Sequence, residues 1–152
     1  MSEVYLSLGS NIGDSKAQLE RAVTLIDLTD NIIVTKRSRI IKTKPWGNLA
    51  QNIFHNMAIE IETNLYPEKL LSILLQIEDD MGRKRNEKWG PRVIDIDIIA
   101  FEQIEAVTKF LTLPHKHAFE RDFVLIPLRE ISPKTADWII KKAPATSPTK
   151  EG

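Results

Sequence analysis

Along the first two thirds of this chain the apolar pattern switches repeatedly between a period of two and a period of three to four. That succession limits the possible folds more than any other feature. EVYLSLG, residues 3 to 9, places Val4, Leu6 and Leu8 on one side and Tyr5 and Ser7 on the other, a strand pattern ended by Gly9. GSNIGD, residues 9 to 14, reads as a turn. From Ser15 the period lengthens: Leu19, Ala22, Val23 and Ile26 share a helical face, and Ser15 and Gln18 have capping-box spacing. NIIVTKRSRII, residues 31 to 41, reads as a second strand, and KTKPWGNLAQN, residues 42 to 52, as a loop. FHNMAIEIE, residues 54 to 62, is a third strand, with His55, Met57, Ile59 and Ile61 facing one way and Phe54, Asn56, Ala58 and Glu60 the other. Pro67 suits a first helical turn, Leu70, Leu74, Ile77 and Met81 continue it, and Gly82 suits its stop. A basic loop, RKRNEKWGPR, then leads into a fourth strand, VIDIDII.

The order strand, helix, strand, strand, helix, strand is the βαββαβ core of a ferredoxin-like fold. It predicts an α+β domain, an antiparallel sheet with helices packed on it in three α/β/α layers. Beyond the fourth strand we expect a short connection at LTLPH, a short helix over 117–124, and a strand or coil ending in proline. One domain would occupy residues 1–140, and KKAPATSPTKEG, without periodicity, reads as a disordered tail over 141–152. The fold hosts many activities and selects none of them.

Charge narrows the field. Lys plus Arg equals Asp plus Glu at 21 each, so no overall field draws the protein to nucleic acid or to a membrane surface. No run approaches the roughly 18 apolar residues of a membrane span. The N-terminal stretch has no basic region of the kind that opens a signal peptide. The absence of cysteine excludes thiolate metal sites and suits a reducing compartment, hence a cytoplasmic protein.

The fourth strand carries the chemistry. Asp95 and Asp97 lie two apart, so both point to one face, about 7 Å apart along the strand, while Ile94, Ile96 and Ile98 point to the other. On an arbitrary strand such a pair is a solvated surface feature. Here the ten preceding residues hold Arg83, Lys84, Arg85, Lys88 and Arg92 against one acid, Glu87. Hard carboxylate ligands beside a cationic, glycine-containing loop suit Mg²⁺ and a polyphosphate. No GxxxxGK[ST] loop is present, so a nucleotide enzyme built on these residues is not of the P-loop kind.

WGPRVIDIDI, with GSNIGD before it and LTLPHKHAFERDFVLIPL after it, closely resembles the 6-hydroxymethyl-7,8-dihydropterin pyrophosphokinase family of folate synthesis, in the family's order and from about residue 4 to about residue 133. The resemblance implies transfer of the β,γ-pyrophosphoryl unit of ATP to the pterin's hydroxymethyl oxygen, by in-line attack on the β-phosphorus, with AMP released. It implies a monomer whose partners are these two small molecules. It implies that Asp95 and Asp97 hold two Mg²⁺ ions, that Arg83 and Arg92 belong to a mobile catalytic loop, and that Trp89 helps the loop close. Phe54 and Phe123 would sandwich the pterin, while Asn56 and the stretch around Thr43, Pro45 and Trp46 read its polar edge. Glu78, Arg85, Trp89, Arg92, Ile98, Thr112, His115 and Arg121 would line the ATP site.

The residues support parts of this independently. Phe54 and Asn56 share a strand face, an aromatic plate beside an amide, which is what a flat polar heterocycle needs; a face covered by a helix is the plainer account. Phe123, beside Val124 and Leu125, would alone be read as core. Trp89 before Gly90 and Pro91 suits a closing lid or packing on the domain. His115 and His117 have no third ligand nearby for zinc, and His115 reads better as a phosphate donor. His55 reads as a partnered core histidine. The sequence departs from the family at Phe110, where a basic residue is common, at Lys116, at Phe54, where some members have tyrosine, and at Leu75. Two competing readings are a nucleotidyl transferase, which wants a third acid, and an RNA-binding module, which wants a basic aromatic face.

Overall fold

A computed structural model of the protein describes residues 1–43, 53–82 and 93–143. Its first strand, β1, spans Ser2–Ser10, followed by helix α1, Ser15–Asp27. Strands β2, Ile32–Arg37, and β3, Ile41–Thr43, precede the long strand β4, Phe54–Thr63. Helix α2, Pro67–Asp80, leads to strand β5, Asp95–Phe101. A two-stranded hairpin, β6 (Ala106–Val107) and β7 (Thr112–Leu113), and a 3-10 turn, Ala118–Glu120, connect β5 to helices α3, Asp122–Ile131, and α4, Pro133–Lys141.

The main sheet runs β2-β4-β1-β5, with β3 paired to the Phe54 end of β4, and every pairing is antiparallel. With β2 and β3 taken as one interrupted strand, this is the expected βαββαβ order. On one face Val4, Leu6 and Leu8 of β1, Met57, Ile59 and Ile61 of β4 and Ile96 and Ile98 of β5 pack against Leu19, Ala22 and Ile26 of α1 and Leu70 and Leu74 of α2. Leu6, Leu8, Ile59 and Ile61 have no exposed area, each worth about 1.5–3 kcal/mol of burial. On the other face Tyr5, Ala58, Ile99 and Ala100 pack against Val124 and Leu128 of α3 and Ala136 and Ile139 of α4, giving the third layer.

Local chemistry sets the boundaries. The N-cap of α1 is Asp14, not Ser15: its carboxylate accepts from the Ala17 amide at 3.1 Å. Ser15 turns its hydroxyl to His55 Nδ1 instead. Pro67 does open α2, and Gly82 follows its end at φ +106, a conformation that favours glycine. β1 runs on through Gly9 to Ser10, so Gly9 is a strand residue and not the first residue of a turn.

Three expectations need correction. The single strand over 31–41 is two strands. Ser38 lies opposite Ala58 and exchanges with it a backbone bond and a side-chain bond, each 2.9 Å. Ile41 lies opposite Asn56, so one extra residue bulges between them. The helix expected at 117–124 is the 3-10 turn followed by α3, which continues to Ile131. The strand or coil expected after it is helix, with Pro127 inside. A proline removes one helical hydrogen bond, and burial of Val124, Pro127 and Leu128 offsets that loss. α4 was also not foreseen, although Ser132 caps it and Pro133 opens it, a start signal written in adjacent residues. The tail read as disordered falls mostly outside the described residues.

Candidate active site

The strand register assembles the site. Gly9 of β1 stands between Asp95 of β5 and Asn56 of β4, and Asn56 in turn faces Ile41 of β3. One row further along, Ser7 stands between Asp97 and Ala58. Alternation therefore brings Asp95, Asp97, Gly9, Ser7, Asn56 and Phe54 to the same face, the one on which α3 and α4 pack. A bulge sharpens the division. Tyr5 lies opposite Ala100 and Leu6 opposite Ile98, so Ile99 is extra, and Ile99 and Ala100 both join the α3/α4 layer while Ile98 stays in the main core.

Asp97 is exposed and Asp95 half-buried. The strand that carries them is fastened from both sides. Ser10 Oγ, fully enclosed, donates to the Val93 carbonyl at 2.5 Å. From α2, the buried Glu78 carboxylate accepts the Ile96 amide at 2.7 Å. That amide lies on the outer edge of β5, between the two aspartates. Glu78, expected to line the ATP site, thus has one oxygen committed to the strand itself. Ile98, expected in the same site, buries its side chain in the core with 2% exposed. Ladder alternation turns its backbone N–H and C=O to the same open edge as those of Ile96.

His115 comes to Asp97 from the connection after β7. Its amide donates to the Ile99 carbonyl at 2.8 Å, which ties the connection to β5. The His117 amide donates to His115 Nδ1 at 3.1 Å, so Nε2 carries the ring proton and is the donor. Burial pushes this imidazole below its ordinary range; Asp97 opposes that, and Arg121 and His117 add to it. A neutral Nε2–H donor, with Asp97 and Arg121 in its electrostatic surroundings, suits a phosphate oxygen. His117 instead pairs with Glu120 at 2.8 Å, so the two histidines face different partners. Arg121 stands at the start of α3 with its guanidinium 5.8 Å from the Phe123 ring centre. Phe123 is 37% exposed rather than core, and Phe54 is half-buried. Thr43, at the end of β3, accepts from Asn56 Nδ2 at 2.9 Å.

Among the expected site residues, then, Thr43, Phe54, Asn56, Asp95 and Asp97 meet on one sheet face, and His115 lies within electrostatic reach of both Asp97 and Arg121. Thr112 sits half-buried in β7 beside β5. Pro45, Trp46, Arg83, Arg85, Trp89 and Arg92 lie outside the described residues. Sequence reasoning gave Gly9 no role in the site beyond ending the first strand and opening GSNIGD.

Comparison with known proteins decides the family. The family model described as 7,8-dihydro-6-hydroxymethylpterin-pyrophosphokinase matches residues 5–133. The chain belongs to this family. The 2-amino-4-hydroxy-6-hydroxymethyldihydropteridine pyrophosphokinase of Methylorubrum extorquens is 48% identical over 133 residues, covering 88% of this chain and 84% of the relative. That of Bacillus subtilis is 43% identical, covering 97% and 86%. Membership makes this chain an enzyme, a pyrophosphokinase of folate biosynthesis. In structure it is similar to the HPPK-DHPS of Plasmodium falciparum, with a TM-score of 0.70 at 15% identity, which shows a common fold. It covers 87% of this chain and 40% of that longer one. Among the described residues no helix is long and apolar enough to cross a membrane.

Proposed function

We propose that this pyrophosphokinase moves the β,γ-pyrophosphoryl unit of ATP to the hydroxymethyl oxygen of 6-hydroxymethyl-7,8-dihydropterin. The products are the pterin diphosphate and AMP. The hydroxymethyl oxygen forms a bond to the β-phosphorus, the bond from that phosphorus to the α,β-bridging oxygen breaks, and the hydroxyl proton leaves to solvent. The observation that carries this reading is two neighbouring rows, Asp95, Gly9, Asn56 and Asp97, Ser7, Ala58, which put both carboxylates and the Asn56 amide on one sheet face.

Asn56 and Thr43 supply in-plane donors and acceptors for a flat heterocycle, and Phe54 and Phe123 supply aromatic faces. His115 Nε2–H and Arg121 would hold phosphate oxygens beside Asp97. The outward backbone of Ile98, with Thr112 near it, suits the edge of a base. Asp95 and Asp97 offer hard oxygen donors, the chemistry that fits two Mg²⁺ ions. Mg²⁺ at these carboxylates would draw charge from the triphosphate and make the hydroxymethyl group more acidic. The chain's own share is orientation and charge placement, to which the cations Arg83 and Arg92, outside the described residues, would add positive charge. It acts in the cytoplasm, as a monomer, on small molecules and without nucleic acid.

The test is AMP release from ATP by the purified protein, with and without the pterin, in Mg²⁺ and then in EDTA. AMP is expected only when pterin and Mg²⁺ are both present. ADP in its place would overturn attack at the β-phosphorus, and AMP formed in EDTA would overturn the metal requirement.

A further inference from the structure

Gly9 is placed where a side chain would meet the Asn56 amide. A Cβ built on Gly9 would stand 2.7 Å from Asn56 Oδ1, well inside the roughly 3.3 Å at which carbon and oxygen come into contact. The next nearest atom is Asn56 Cγ at 3.7 Å, so the intrusion falls on one functional group of one residue. The Asn56 amide therefore lies over β1, in the space a side chain at position 9 would take. At its other end Nδ2 is held by Thr43 Oγ1 at 2.9 Å. These two constraints, an empty place on β1 and a hydroxyl on β3, fix the plane and the direction of a buried amide. The Thr43 hydroxyl accepts from the amide, so its own proton remains available to donate.

A glycine in the middle of a strand weakens it through backbone entropy and missing packing. Unlike Gly13 and Gly82, Gly9 has no positive φ to justify the choice. What the glycine provides is room for the amide beside Asp95.

We propose that Gly9 is a positioning residue that sets the orientation of Asn56, and through it the selectivity for the pterin, without touching ATP. This rests on the reading of Asn56 as the reader of the pterin's polar edge. Alanine at position 9 would swing the amide off Thr43 while leaving the strand intact, because the displaced atom is the end of a side chain and alanine is compatible with an extended backbone.

The test compares the wild-type protein with Gly9→Ala, Asn56→Ala and the double variant. Gly9→Ala is expected to raise the KM for the pterin about tenfold, the scale of one lost hydrogen bond, and to leave the KM for ATP within twofold. In the Asn56→Ala background Gly9→Ala should add nothing. A pterin KM within twofold of wild type, or an equal further rise on top of Asn56→Ala, would overturn the proposal. A second readout needs no substrate: the Asn56 side-chain amide signals in a ¹⁵N-labelled sample should shift in Gly9→Ala, and unshifted signals would overturn it. If the wild-type protein does not turn over the pterin, the proposed activity fails while the amide signals still decide the role of Gly9.

Discussion

The two faces of the sheet are built on opposite rules. The face toward α1 and α2 alternates large aliphatic side chains, Leu6 and Leu8 beside Ile59 and Ile61, all enclosed. On the opposite face β1 presents Tyr5, then Ser7, then Gly9, shrinking from a ring to nothing toward the site. Where Tyr5 stands the face is roofed by α3 and α4. Where Gly9 stands it is edged by Asp95 and Asn56. One face stores stability and the other gives some of it up for shape and charge, and the strands between them serve both.

Mutations should separate the two. The largest effect is expected from Asp97→Ala, which should lower turnover on the order of 10³-fold, given several kcal/mol from placing the metal. Because Asp97 is exposed, the midpoint of urea unfolding should stay near that of wild type. Ile59→Ala on the closed face should do the reverse. It should cost about 2–5 kcal/mol of stability in the same titration, with the KM for the pterin unchanged in the folded fraction.

Glu78 tests the link between the faces. Glu78→Ala leaves the Ile96 amide without its acceptor and should cost about 1–3 kcal/mol, whereas Glu78→Gln retains a carbonyl oxygen and should cost less. Turnover should follow the same order, since this bond holds the strand between Asp95 and Asp97. Equal losses for both variants would mean that the charge, not the hydrogen bond, matters there.

The smallest effect is a pH dependence. Burial, with Lys16 and Lys42 nearby, holds the His55 imidazole below its ordinary range, and Asp14 only partly opposes them. A base with a depressed folded pKa contributes stability above its unfolded value near 6.5 and loses it as pH falls through the folded value. His55→Gln should flatten the part of the stability curve that falls below about pH 6.5. An unchanged slope would remove His55 as its source.

The closed face was legible in the sequence because large side chains at period two and period 3.6 leave a pattern. The carboxylate pair was legible because two charges interrupt an isoleucine strand. Other features left no pattern. Pro127 argues against a helix by local rules, and only the uncovered Tyr5, Ile99 and Ala100 surface requires one there. The extra residue at Ile99 and the break at Ser38 depend on cross-strand partners, which a single strand does not record. Gly9 was visible, yet its meaning lies in Asn56, some fifty positions away. Ser15, with the spacing of a cap, proved to serve His55 instead, and Asp14 beside it took the cap.

The bond from Glu78 to the Ile96 amide has a consequence for crowding in the cell. β5 is an outermost strand of the sheet, and a bare outermost strand offers unpaired amides to any extended chain that drifts past. Glu78 occupies one of its outward groups, and the His115 amide takes the Ile99 carbonyl further along. At the opposite border β2 carries Lys36 and Arg37, which an incoming strand would have to desolvate. The sheet is thereby guarded at both borders against being mistaken for a template.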